Sequence, residues 1–225
     1  MTRIRKPPEP AEGADHRPRV ARERRERMEA RIVEAALGVF AEKGPDAPVI
    51  DDFINAAGVA RGTFYRYFQN TEQLLEATSM RMQDDAMVAI EVELLGLDDP
   101  VDRLATGMLL WLRMAQRDPA WCAFTVRVRP QSALVERTLL DDLRGGKRAG
   151  DFSFANPQTA RDLVVGTIRE GMSRMLVARM PRTYAVDVVR MLLRGLGLSF
   201  ARTDAVLAAC VARLQRAARS GSRGS

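Results

Sequence analysis

The eight residues RGTFYRYF, 61 to 68, set two arginines, a threonine and two of the chain's three tyrosines around a glycine. Their side chains share one chemistry, the recognition of a polyanion with edges to read. A guanidinium fork suits a phosphate or the O6 and N7 of a guanine, and a threonine can meet a thymine methyl while its hydroxyl hydrogen-bonds. Tyrosine hydroxyls donate to phosphates as their rings pack against sugars. At helical spacing Phe64 and Phe68 share one face, towards Phe40 and Phe53. Gly62, Tyr65 and Arg66 point the other way, with Arg61, Thr63 and Tyr67 on the flanks. A glycine inside a helix costs about 1 kcal/mol relative to alanine, and close approach to a large surface such as a DNA groove would offset that cost. The same residues also read as half-buried packing tyrosines beside a solvated basic face. Residue types alone leave both readings open.

Three helices must position these groups. In ERMEARIVEAALGVFAEKG, Ile32, Val33, Ala36, Leu37 and Phe40 recur at three- and four-residue spacing from near Arg24, until Gly44 and Pro45 stop the helix. VIDDFINAA predicts a second helix that buries Ile50, Phe53 and Ile54, and Gly58 permits a tight turn into the third. Two helices joined by a glycine turn, the second basic and aromatic, describe a helix-turn-helix. Asn70 and Gln73 form a capping box that starts a fourth helix through Met80 and Met87 towards Leu95. Beyond residue 100 the pattern predicts helices at about 100–117, 120–128, 132–144, 157–179, 182–200 and 203–218, with a loop at GGKRAGDFSFANP. The expected fold class is all-α, with no credible strand pairs.

Composition excludes several functions. The chain has 225 residues and a net charge of +6, and its single histidine, His16, lies in a polar N-terminal stretch. Histidine-dependent nucleophiles and metal sites are therefore absent from the globular part. Cys122 and Cys210 are far apart and read as buried thiols. No apolar run is long enough to span a membrane, and the N-terminus lacks the apolar core of a signal peptide. A cytoplasmic location is expected. Residues 1–25 hold eight basic and four acidic residues, so this arm carries four of the six net positive charges. The expected organisation is a basic, disordered arm at 1–24, a helix-turn-helix domain at 25–78, a larger helical domain at 79–218 and a flexible tail at 219–225.

IVEAALGVFAEKG followed by FINAAGVARGTFYRYFQNTEQLLEA resembles the N-terminal domain of TetR/AcrR-type transcriptional regulators over about residues 28–78. The resemblance implies that Arg61, Gly62 and Thr63 face base edges, and that Tyr65, Arg66, Tyr67 and Thr71 belong to the same DNA-binding surface. It implies a homodimer that represses from a palindromic operator and is released by a small hydrophobic ligand. Departures from the family pattern are also present. Thr71 stands where lysine is usual, Ala60 and APVIDD lack the usual helix-capping hydroxyls, and Asp51 and Asp52 begin the second helix.

For the second domain, Met108, Trp111, Trp121, Phe124, Met172 and Met175 are the candidate ligand pocket, with Arg113, Arg169 or Glu170 as polar candidates. Leu163, Val164, Ile168, Val188, Leu192 and Leu196 form the candidate dimer stripe, with Gly166 and Gly195 allowing close approach. No cofactor or metal is called for. Two other readings stay open: a regulator with a weakened DNA-binding head that acts through protein contacts, and a helical enzyme using the C-terminal pocket.

Overall fold

The structure, a computed structural model, describes residues 16–221, with side chains described from Arg19 to Ala217 and at Arg219. It is all-α. The described residues form α1 (His16–Lys43), α2 (Ile50–Ala57), α3 (Arg61–Tyr67), α4 (Thr71–Glu93) and α5 (Pro100–Arg117). These are followed by α6 (Pro119–Arg127), α7 (Ala133–Arg148), α8 (Pro157–Val177), α9 (Tyr184–Gly195) and α10 (Phe200–Gly221). Two compact units divide between Leu74 and Leu75. Among the described residues no helix is long and apolar enough to cross a membrane.

The first unit is held by phenylalanine. Phe53 and Phe64 are fully buried, Phe40 and Phe68 nearly so, and the Phe40 and Phe53 rings lie 4.9 Å apart. Rings of this size bury more apolar surface than any other side chain here. Gly58 closes α2 in the left-handed region at φ 59°, and its N–H and that of Val59 return to the carbonyls of Asn55 and Ile54. At the start of α4, Gln73 N–H donates to Asn70 Oδ1 at 2.9 Å, and Gln69 N–H donates to Gln73 Oε1 at 2.9 Å. The helix α1 begins at His16, eight residues before the start expected from apolar periodicity. Pairs one turn apart support that extension, Arg19 with Glu23 at 3.5 Å and Arg22 with Glu26 at 3.4 Å. Residues 1–15 of the basic arm and residues 222–225 of the tail lie outside the described residues.

In the second unit each of three turns spells Asp-Pro or Asn-Pro. Asp99, Asp118 and Asn156 accept backbone N–H groups as N-caps, and Pro100, Pro119 and Pro157 open the helices that follow. The core centres on Leu109 and Leu112 of α5, with Met172, Val189, Leu193 and Leu207 packed around them. Two boundaries differ from expectation by four residues or more. Helix α7 continues through Gly145 and Gly146 to Arg148, because it lies flat on the Phe152 ring, where a Cβ at Gly146 would stand 2.4 Å from ring carbons. Helix α9 stops at Gly195 rather than near 200. The chain reverses at Gly197 with φ 101°, and Ser153 N–H donates to the Leu196 carbonyl at 2.8 Å.

The apolar stripe assigned to a dimer is mostly internal. Val164, Ile168, Leu192 and Leu196 are buried within the protomer, and Val188 packs partly buried against the same core. The four buried residues belong to this chain's own core and have almost no side-chain surface left for a partner. Of the six, only Leu163 is exposed, at 42%.

Burial separates the rings of the third helix by role. We expect Phe64→Ala to destabilise the first unit by about 3–5 kcal/mol in urea unfolding followed by circular dichroism. Tyr65→Phe is expected to change it by less than about 0.5 kcal/mol.

Candidate functional site

With Phe64 and Phe68 turned inward, the rest of α3 faces out. Arg61, Gly62, Tyr65 and Arg66 are exposed, and Thr63 and Tyr67 are half-buried at the flanks. A Cβ at Gly62 would meet no atom within 4 Å, so no intramolecular contact requires glycine there. Tyr65 is 42% exposed, and the Arg61 guanidinium carbon lies 5.8 Å from its ring centroid. Arg25 of α1 similarly stands 6.0 Å from the centroid of Tyr67. Thr71 is half-buried at the first residue of α4. The six candidate residues of α3 therefore share one short helix, and Thr71 begins the next.

The two acids of α2 have separate partners. Asp52 accepts the Val49 N–H at 3.0 Å and Lys43 Nζ at 2.6 Å, which stops the first turn of α2 from fraying and ties it to the end of α1. Val49 has no side-chain oxygen, so Asp52 supplies the half of a capping box that the sequence still allows. The Lys43 hydrogen bond, with the Val49 N–H behind it, holds the Asp52 carboxyl below the usual carboxylate range. Asp51 instead accepts Arg61 Nη1 at 2.7 Å.

The second unit contains a cavity of about 100 Å³. Met87, Leu104, Met108, Trp111, Val135 and Met172 supply much of its apolar wall. Its polar part includes Gln83, Thr125, Glu91, Arg103 and Asp142. Arg103 donates to both Glu91 oxygens at 3.0 and 2.8 Å and through Nε to Asp142 at 3.2 Å. Burial pushes the Asp142 carboxyl up to about 6 against the opposing pull of Arg103. The Thr125 hydroxyl oxygen is buried without a hydrogen-bond partner among the described residues. A buried hydroxyl left so costs about 1–3 kcal/mol unless something satisfies it.

Of the candidate pocket residues, Met108, Trp111 and Met172 line this cavity and the other three do not. Trp121 stands behind the wall, edge-on to Trp111 with ring centroids 5.2 Å apart. Phe124 is buried in the protein interior, and Met175 faces a different surface depression near Pro181. Arg169 touches the lining, yet its guanidinium is taken up by the carbonyls of Val126, Val128 and Arg129 at 2.8–2.9 Å, which close the end of α6. Glu170 pairs on the surface with Arg174, and Arg113 lies off the cavity wall. Sequence reasoning missed Glu91, Arg103 and Asp142 because their separations, twelve and thirty-nine residues, follow no local period.

The family model for bacterial regulatory proteins of the tetR family matches residues 32–78, the segment that contains this helix-turn-helix. An uncharacterised HTH-type transcriptional regulator of Mycobacterium tuberculosis is 32% identical over 100 residues, covering 44% of this chain and 50% of that protein. A second such regulator, of Bacillus subtilis, is 36% identical over 69 residues, 31% of this chain and 36% of the relative. The chain thus spans half or less of the length of these curated relatives. Among solved structures, RolR in complex with resorcinol superposes with a TM-score of 0.69 at 25% identity, over 82% of this chain and 95% of that one. The fatty acid degradation regulator FadR of Bacillus halodurans has a TM-score of 0.56 at 23% identity, over 74% and 98%, a likeness of fold.

Two outcomes test the roles given to these residues. Gly62→Ala is expected to stabilise α3 by about 0.5–1 kcal/mol while weakening binding to duplex DNA, measured by thermal unfolding and fluorescence anisotropy. The folded Asp52 carboxyl is lowered, so its contribution is in place above the ordinary carboxylate range and lost as pH falls through the lowered value. Asp52→Ala should therefore flatten the acid limb of the unfolding profile.

Proposed function

We propose that this chain, a TetR-family transcriptional regulator, is a dimeric repressor that leaves a palindromic operator when a small ring-shaped ligand enters the cavity of its second unit. The observation that carries the DNA half is the exposed face of α3. It gathers two arginines, two tyrosines and a glycine that no packing requires. Arg61 and Thr63 read base edges, and Tyr65, Arg66, Tyr67 and Thr71 hold the sugar-phosphate backbone on either side.

The cavity supports the ligand half. Its walls are apolar and sulfur-rich, with Trp111 as a stacking surface. At about 100 Å³ it has room for several water-sized groups, which suits a small ring better than a long acyl chain. The unsatisfied Thr125 hydroxyl and the Arg103–Asp142 pair favour a ring that carries hydrogen-bonding substituents. The likeness to RolR, solved with resorcinol, favours the same chemistry. The wall includes Trp111 and excludes Trp121, so the tryptophan signal of binding is assigned to one residue.

For the dimer, the surface offered by α8 and α9 is Leu163, Gly166, Met191 and Gly195, with Met191 66% exposed. A twofold pairing through this face matches a twofold operator. It replaces the buried members of the apolar stripe with the residues that have surface to give.

A mobility-shift series on the DNA flanking the chain's own gene tests the proposal. Wild type is expected to bind one duplex specifically, and Arg61→Ala to lower that affinity by about 5- to 150-fold, the worth of one bidentate base contact. A small phenol is expected to quench Trp111 fluorescence and dissociate the complex, with Thr125→Val weakening the phenol and sparing the DNA. Specific binding that survives both Arg61→Ala and Tyr65→Phe would remove α3 from the reading surface.

A further inference from the structure

We propose that Asp51 is a positioning residue for DNA sequence reading, which aims the Arg61 guanidinium at a guanine edge and keeps it off the phosphates. The inference rests on the reading of α3 as the DNA-facing helix and adds a residue that lies outside that helix.

The two acids that begin α2 look equivalent in sequence and are not equivalent in the structure. Asp52 has a local duty in the fold, capping α2 and holding Lys43. Asp51 has none of these contacts. Its carboxylate reaches across to the first residue of α3 and accepts Arg61 Nη1 at 2.7 Å. Both side chains are more than half exposed, at 61% and 62%, so the pair is screened by water and does little for stability. Yet it fixes the direction of a long side chain on the face that meets DNA.

A second contact fixes it further. The Arg61 guanidinium carbon lies 5.8 Å from the Tyr65 ring centroid, so the head group has an aromatic ring as well as a carboxylate for a neighbour. Arginine has five N–H donors in a planar fork. The carboxylate takes one at Nη1, and the donors that remain are enough for the paired O6 and N7 acceptors of guanine. A free arginine would lose rotamer entropy on docking and would find the nearest phosphate as readily as a base. Asp51 removes part of both problems. It holds the side chain in place before binding, and its own charge opposes a phosphate in the same spot. The exchange lowers general affinity for DNA and raises discrimination, which is how a repulsive element confers specificity.

The test uses the full chain and a pool of synthetic duplexes with a randomised core, sequenced after selection, for wild type, Asp51→Ala, Asp51→Glu, Arg61→Ala and the Asp51→Ala/Arg61→Ala double variant. Wild type should enrich a site with guanine fixed at one position of each half. Asp51→Ala should weaken that guanine preference about tenfold. It should also raise affinity for unrelated duplexes and steepen the log–log salt dependence by about one as Arg61 turns to a phosphate. Asp51→Glu should restore part of the preference. Arg61→Ala should remove the same preference, and the double variant should be no worse than Arg61→Ala alone. If Asp51→Ala raises affinity for every sequence alike with the guanine preference intact, or if the two losses multiply, the positioning role is overturned. Failure of wild type to enrich any sequence would instead overturn the DNA reading of α3, and this inference with it, before any variant is compared.

Discussion

The burial of Phe64 and Phe68 in the interior that also takes Phe40 and Phe53 is the constraint on which the rest of the first unit depends. A seven-residue helix cannot hold itself together in water, and its orientation comes from tertiary packing. Two rings one turn apart define a face, and burying both leaves no rotational freedom for the remaining side chains. Arg61, Gly62, Tyr65 and Arg66 point outward because the phenylalanines point inward. The glycine turn at Gly58 sets the crossing from α2, and Asp52 stops the first turn of α2 from fraying. Each of these serves to hold one small polar surface still.

The second unit solves a different problem, which is to keep a space open inside a helical core. Close-packed interiors leave little room. Here the space is kept by an ion network and a large ring, Arg103 with Glu91 and Asp142 on one side and Trp111 on another. A partly buried network of this kind stabilises little by itself, because desolvation and solvent screening consume much of the attraction. Its value is in shape and chemistry: it holds polar groups at fixed places beside an apolar wall. Arg169 illustrates the contrast. It borders the same cavity, but three carbonyls hold its guanidinium, and its work is to close α6.

Much of this was legible in the sequence, and the reasons are local. Periods of three and four residues, the Asn70–Gln73 cap and the Gly58 turn gave most of the helices nearly their observed bounds. The division of α3 into a phenylalanine face and a tyrosine–arginine face followed from spacing alone. What periodicity could not decide was which partner covers an apolar stripe. Val164, Ile168, Leu192 and Leu196 have the spacing of an interface and the burial of a core. The helix through Gly145 and Gly146 was misread for a related reason, since glycine there answers to the Phe152 ring rather than to a loop. The cavity's ion network joins residues twelve and thirty-nine apart, and only the fold brings them together, while the nearer partners of Asp51 and Asp52 follow no helical period that would tell the two acids apart.

The central proposal is that the exposed face of α3 is where this chain meets duplex DNA. Amide hydrogen exchange with and without a bound duplex tests it most directly, because it reports the contacted segment without any substitution. The account predicts added protection concentrated in the backbone from Gly58 to Thr71, with the cavity helices α5 and α7 unchanged. Protection that leaves residues 58–71 as they were and appears elsewhere in the chain would contradict it.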